Sequence, residues 1–103
     1  MTKNLDSEGL RSVFDNYELF FIDLWGVVHN GIELHENAVH ALSKISEAKK
    51  NYILLTNAPR PNKIVKNFLE KLSLDRRMRD KVFTSGEAAL GYLKKNYINQ
   101  KFY

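Results

Sequence analysis

Two rhythms alternate along this chain: short unbroken apolar runs, and longer stretches in which apolar residues recur three and four apart. The runs are Leu19-Phe20-Phe21-Ile22, Tyr52-Ile53-Leu54-Leu55 and the shorter Lys81-Val82-Phe83-Thr84. Continuous rather than alternating apolarity predicts strands buried on both faces. Between them, Ala38, Ala41, Leu42, Ile45 and Ala48 form a helical stripe from about Asn37. Ile64, Val65, Phe68, Leu69 and Leu72 form a second stripe, opened by Pro61, whose missing N–H costs nothing in a first helical turn. Asp6 or Ser7 is placed to cap a short first helix through Leu10, Val13, Phe14 and Tyr17. Ser85 is placed to cap a last one through Ala89, Leu90, Leu93 and Tyr97. Asn30-Gly31 between short apolar pieces predicts a hairpin turn. The charged stretch before the third run reads as a loop, and the tail Gln100-Lys101-Phe102-Tyr103 as the start of another strand. Strands alternating with helices predict parallel pairing through right-handed crossovers, an α/β doubly wound layout.

Length changes this picture only by confining it: 103 residues suit one domain and are too few for two ordinary ones. The absence of cysteine excludes disulfides, thiolate metal sites and a cysteine nucleophile, and suits a reducing compartment. No stretch approaches the roughly 20 apolar residues that span a bilayer. Asp6, Ser7 and Glu8 sit where the apolar part of a secretion signal would begin. The expectation is a cytoplasmic protein without membrane contact.

Charge is unevenly spread. Residues 1–43 carry 2 Lys/Arg against 7 Asp/Glu, whereas residues 44–103 carry 14 against 5. A basic half raises the question of nucleic acid. Its cations are scattered over helix faces and turns, apart from Arg76-Arg77-Met78-Arg79, and read as solvated surface rather than a nucleic-acid interface.

In open α/β sheets, ligands bind outside the carboxyl ends of the strands. The polar residues closing the three runs are Asp23, then Thr56-Asn57, then Thr84-Ser85, and all would share one sheet edge. Asp23 can cap the following turn. It can also attack phosphorus as a carboxylate nucleophile or bind Mg²⁺ as a hard oxygen ligand. Directly after four apolar residues, it is expected to be poorly solvated unless it meets a cation. Thr56 and Asn57 are either turn-forming residues or a phosphate-holding pair assisted by the next helix N-terminus. Arg60 could pair with an anionic substrate but reads first as a solvated loop cation, and Thr84, Ser85 and Glu87 read as helix capping ahead of any role in the site. His29, His35 and His40 lack metal-ligand spacing.

With these residues in place, the sequence resembles the haloacid dehalogenase (HAD) superfamily, and within it the class IIA hydrolases. The first motif is Phe21-Ile22-Asp23-Leu24-Trp25-Gly26-Val27-Val28-His29-Asn30-Gly31. Leu54-Leu55-Thr56-Asn57-Ala58-Pro59-Arg60-Pro61 and Phe83-Thr84-Ser85-Gly86-Glu87 support it. The resemblance implies Asp23 as nucleophile and Mg²⁺ ligand, the Trp25 carbonyl as second metal ligand and Thr56 as a phosphate-binding hydroxyl. It also makes residues 27–34 a flap that gates the site. The fold implied is a partial doubly wound parallel sheet, the N-terminal half of a Rossmann-like HAD core over residues 1–103.

Two features depart from the family pattern. A second Asp, the general acid for the leaving group, usually stands two residues after the nucleophile; here that position is Trp25, and an indole is no carboxylic acid. The motifs that supply a lysine and further acidic metal ligands, and the cap domain, would lie beyond Tyr103. The expectation is therefore a truncated, Mg²⁺-dependent hydrolase of a phosphorylated small molecule, inactive as a 103-residue chain and able to self-associate through its unpaired sheet edge. The alternative is a non-catalytic or degenerate HAD-fold binding module.

Overall fold

The computed structural model describes residues 4–101. Its elements are a one-turn helix α1 (Leu5–Glu8), two 3₁₀ turns (Leu10–Ser12 and Phe14–Asn16) and strand β1 (Leu19–Ile22). There follow α2 (Glu36–Glu47), β2 (Asn51–Thr56), α3 (Asn62–Lys71), a one-turn α4 (Arg76–Arg79), β3 (Val82–Thr84) and α5 (Ser85–Asn96). The strands form one parallel sheet in the order β1-β2-β3, with Ile22 opposite Leu54, Leu54 opposite Val82 and Thr56 opposite Thr84. The parallel α/β architecture expected from the sequence is present.

Both crossovers advance in the same direction, so right-handed connections set α2 and α3 against the same side of the sheet. The core lies there. Tyr52, Leu54 and Val82 point into it and meet Leu42 and Ile45 of α2, Leu69 of α3, and Leu24, Val28 and Leu74 from the connecting loops. The opposite side is bare: Leu19, Phe21, Leu55 and Phe83 are exposed, Phe21 by 67%. The expectation of strands buried on both faces thus fails. A run of apolar residues says what each face is made of, while the sense of the crossovers decides which face is covered.

Four smaller expectations also change. The single N-terminal helix is broken after one turn, because Gly9 takes a φ of +75° that ends α1, which Asn4 caps rather than Asp6 or Ser7. The charged loop contains α4, started by the Asp75 carboxylate accepting from Arg77 N–H at 2.8 Å. Thr84, not Ser85, caps α5, accepting from Glu87 N–H at 2.9 Å. Gln100 and Lys101 belong to no strand, and the rest of the expected tail strand, Phe102 and Tyr103, lies outside the described residues. Helix α5 buries none of its residues. The radius of gyration, 16.0 Å, accordingly exceeds the ~13 Å of a compact domain of about this length.

Lys50, just before β2, ties the N-terminal turns to the sheet. Its ammonium donates to the carbonyls of Phe14 at 2.8 Å and Tyr17 at 2.7 Å and lies 4.5 Å from the Phe14 ring centroid. Phe14 in turn stacks on Phe20 of β1, centroids 5.5 Å apart.

Candidate active site

The three parallel strands run out toward one edge, with Ile22 opposite Leu54 and Thr56 opposite Thr84, and side chains alternate between faces along each. Phe21, Leu55 and Phe83 therefore share the bare face, and Asp23, Asn57 and Ser85 continue it beyond the strand ends. A cavity of about 560 Å³ opens at this edge. Phe21, Leu55 and Phe83 form its floor, and Asp23, Thr56, Asn57, Thr84 and Ser85 line its end. The strand-end residues named from the sequence thus meet in one cleft.

Asp23 is exposed, contrary to the expectation of poor solvation, because no layer of the described residues covers the face it continues. Its Oδ1 accepts from Leu24 N–H at 2.8 Å. Among the described residues Oδ2 has no hydrogen-bond partner. The chain then turns sharply: the Leu24 carbonyl accepts from Val27, Val28 and His29 N–H at 3.2, 2.8 and 3.2 Å, and Gly26 adopts a φ of +77°. Trp25 rides on the outside of this turn. Among the described residues its carbonyl accepts no hydrogen bond, so it remains an open oxygen two residues from the carboxylate.

The flap stretch is a minimal hairpin. His35 N–H donates to the Val28 carbonyl at 2.8 Å, Asn30 N–H to Glu33 at 3.2 Å, and the Asn30 side chain accepts from Ile32 and Glu33 N–H. Gly31, at φ +90°, lies against the Trp25 ring; a Cβ there would come within 2.3 Å of it. His29 is buried to 2% exposure, with Nδ1 accepting from Gly31 N–H at 2.9 Å. Burial, and after it the neighbouring His35, lowers its pKa below the usual 6.5, favouring the neutral ring. Sequence reading gave His29 no part; only its place inside an apolar segment hinted at burial.

On the second strand, Thr56 is 6% exposed and its hydroxyl accepts from Ala58 N–H at 3.3 Å. The loop that follows is locked to the β3–α5 corner. Thr84 Oγ1 donates to the Arg60 carbonyl at 2.5 Å, Thr84 N–H to Asn62 Oδ1 at 2.9 Å, Gly86 N–H to the Ala58 carbonyl at 3.1 Å and Ser85 Oγ to the Thr56 carbonyl at 3.4 Å. A Cβ on Gly86 would stand 2.5 Å from the Pro59 carbonyl carbon, so only glycine permits this approach. Asn62 escaped the sequence reading, and Gly86 entered it only as a member of the third motif, although a glycine directly after a strand-closing serine signals close backbone contact. Arg60 is exposed.

Mg²⁺ takes hard oxygen donors in octahedral geometry and keeps several waters. The Asp23 carboxylate and the Trp25 carbonyl fit two such positions in chemical type. Among the described residues no group of three or more His, Cys, Asp or Glu side chains converges.

A sequence profile of the haloacid dehalogenase-like hydrolases matches residues 20–103. Phosphoglycolate phosphatase 2 of Arabidopsis thaliana is 30% identical over 95 residues, covering 89% of this chain and 31% of that protein. A haloacid dehalogenase-like hydrolase from Brucella suis superposes with a TM-score of 0.75 at 33% identity, over 84% of this chain and 32% of its own. A glycerol phosphate phosphatase from Mycobacterium tuberculosis, solved in complex with magnesium, gives a TM-score of 0.63 at 25% identity, over 84% of this chain and 26% of its own. The chain thus spans about a third of the length of the proteins it resembles.

Proposed function

The chain belongs to the haloacid dehalogenase-like hydrolases, and from that premise we propose that it carries the nucleophile of a Mg²⁺-dependent, class IIA hydrolase of phosphorylated small molecules. The observation behind the reading is the cleft that gathers Asp23, Thr56 and Asn57 at the ends of parallel strands. Asp23 attacks through Oδ2, the oxygen not engaged by Leu24 N–H. A bond forms from Oδ2 to phosphorus as the bond from phosphorus to the ester oxygen breaks, leaving an aspartyl-phosphate that water hydrolyses. The Thr56 hydroxyl and the Asn57 amide hold the phosphoryl oxygens, and the rigid 56–62 loop keeps them in place. Bound at Asp23 and the Trp25 carbonyl, Mg²⁺ would neutralise phosphate charge.

With Trp25 at the position of the usual acid, the departing oxygen takes its proton from water, which favours substrates whose leaving group is stable as an anion. The cleft lining contains no Lys or Arg among the described residues. Phosphoryl transfer depends on such charges, so the 103 residues alone turn over little substrate. Trp25 and the cation-free cleft favour a second reading, a binding module of the same fold without catalysis. The cysteine-free sequence fits a reducing compartment such as the cytoplasm. Among the described residues no helix is long and apolar enough to cross a membrane.

The test is phosphate release from a panel of phosphate monoesters by the protein, with and without Mg²⁺. Mg²⁺-dependent turnover, however slow, that is lost in Asp23→Asn supports the hydrolase. Binding of phosphate esters that is unchanged by Mg²⁺ and by Asp23→Asn, with no turnover, supports the module.

A further inference from the structure

A cavity of about 520 Å³ lies between α3, α4 and the first turn of α5, and shares no residue with the Asp23 cleft. Every side chain that lines it is polar, and four are cations: Lys63 and Lys66 on α3, Arg76 and Arg79 on α4. Arg76 and Arg79 stand three apart, so two of the three arginines clustered in the sequence share one face of α4. Lys66 pairs with Asp80 at 3.8 Å, and Arg79 Nη1 with Glu70 at 3.3 Å. Lys63 and Arg76 are exposed and have no ion-pair partner among the described residues. The Arg79 side chain is only 18% exposed, and its Nε is the one buried side-chain nitrogen or oxygen among the described residues without a hydrogen-bond partner. A guanidinium donates along its edges, so Glu70, by engaging Nη1, leaves the edge of Nε and Nη2 unused. A buried donor without an acceptor is costly, and here it stands in a hollow that already gathers positive charge.

We propose that this hollow is a second oxyanion site, separate from the Asp23 cleft, and that it takes the diphosphate group of a small molecule between Lys63 on α3 and Arg76 and Arg79 on α4. A concave surface lined by one excess charge focuses the field on whatever enters it. The cations face the hollow from two walls. A single phosphate meets one of them, whereas a diphosphate carries oxyanions on two phosphorus atoms and meets both. Arg79 adds the planar pair of donors that matches two phosphate oxygens. Its Nε is covered, so this edge is reached as the guanidinium swings from Glu70, whose side chain is 64% exposed and whose hold is correspondingly weak. The volume is that of a small-molecule site. Glu70, Asp80 and Glu87 also line it and would repel a nucleic-acid strand laid across the opening, which favours a compact ligand that keeps to the α3–α4 side. Glu87, on the α5 side, has no ion-pair partner among the described residues and opposes the anion.

The experiment titrates the protein, in EDTA and physiological salt, with inorganic diphosphate, orthophosphate and a short single-stranded RNA, following amide shifts by NMR and heat of binding. We expect diphosphate to shift the amides of Lys63, Asn67, Arg76 and Arg79 and to bind about tenfold tighter than orthophosphate. Lys63→Glu with Arg76→Glu, both at exposed positions, should weaken diphosphate by more than about tenfold. Lys94→Glu with Lys95→Glu makes the same change of charge at exposed positions outside the cavity, and should alter affinity by less than about twofold in that salt. Arg79→Lys keeps the charge but loses the planar donor pair, and should weaken binding about threefold. Glu87→Gln removes the opposing charge and should tighten binding about twofold, a gain that misfolding cannot mimic. Equal losses in the two double variants, or shifts confined to Asp23, Thr56 and Asn57, would reduce the effect to diffuse charge or to the other cleft and overturn the site. Equal affinity for orthophosphate and diphosphate overturns the two-walled ligand. RNA that shifts the cavity amides where diphosphate does not would assign this face to nucleic acid and overturn the proposal as well.

Discussion

The two faces of the sheet are built from the same three strands and the same kinds of residue, yet they live in different surroundings. On one, Tyr52, Leu54 and Val82 are sealed beneath α2 and α3. On the other, Leu19, Phe21, Leu55 and Phe83 face outward, and α5, which could lie near them, buries nothing. The sealed face holds the molecule together, whereas the bare face runs without interruption into Asp23, Asn57 and Ser85. In a strand, residue type announces that a side chain can be buried; the path of the chain between strands decides whether it is. The catalytic candidate is therefore accessible for the same topological reason that the phenylalanines beside it are.

The sharpest way to break this comparison is to truncate one side chain on each face. Leu54→Ala, fully buried, should cost about 3–5 kcal/mol by urea denaturation. Phe83→Ser, 43% exposed on the other side, should cost less than about 1 kcal/mol and reduce concentration-dependent association in size-exclusion chromatography. Similar losses from both would mean that the outer face is covered in solution.

At the edge where the faces meet the cleft, Gly86→Ala forces a methyl against the Pro59 backbone. We expect a loss of about 1–3 kcal/mol, with amide shifts spreading from Ala58 to Asn62 in NMR spectra. A silent substitution would show that the two loops are not locked. Lys50→Met removes two charge-assisted hydrogen bonds and the contact with the Phe14 ring. It should cost about 1–2 kcal/mol, with amide exchange accelerating first in residues 10–17.

The smallest effect belongs to His29. Its pKa is lowered by burial, so the unfolded chain takes up a proton that the native state resists. The stability it contributes is complete above about pH 6.5 and is lost as the pH falls from there through the lower folded pKa. Ring resonances of His29 should titrate below 6.5, and the urea midpoint should drop on going from pH 7.5 to 5.5; a normal titration would mean that the ring is solvated.

Much of this was legible in the sequence. Strand β2 and helix α3 carry periodicities that permit one reading, and a strand-closing Asp23 and Thr56 had to reach the same edge once the sheet was parallel. Other features depend on contacts that no local pattern records. Gly9 ended a helix whose apolar spacing continued past it, and Asp75 started one inside a stretch that looked like solvated charge. The choice of Thr84 over Ser85 as cap depended on where β3 stopped. His29 was read by its missing metal partners, while its actual neighbours, Trp25, Gly31 and Phe68, are brought together only by the turn after β1.

The account turns on Asp23 becoming covalently phosphorylated. Borohydride reduces an acyl phosphate to the alcohol, so brief exposure of the protein to an aryl phosphate and Mg²⁺, followed by borohydride and peptide mass spectrometry, reads the site directly. The expected result is a mass change confined to the peptide containing Asp23 and absent from Asp23→Asn, which also loses turnover. Turnover that persists in Asp23→Asn, or reduction at another carboxylate, would contradict the assignment.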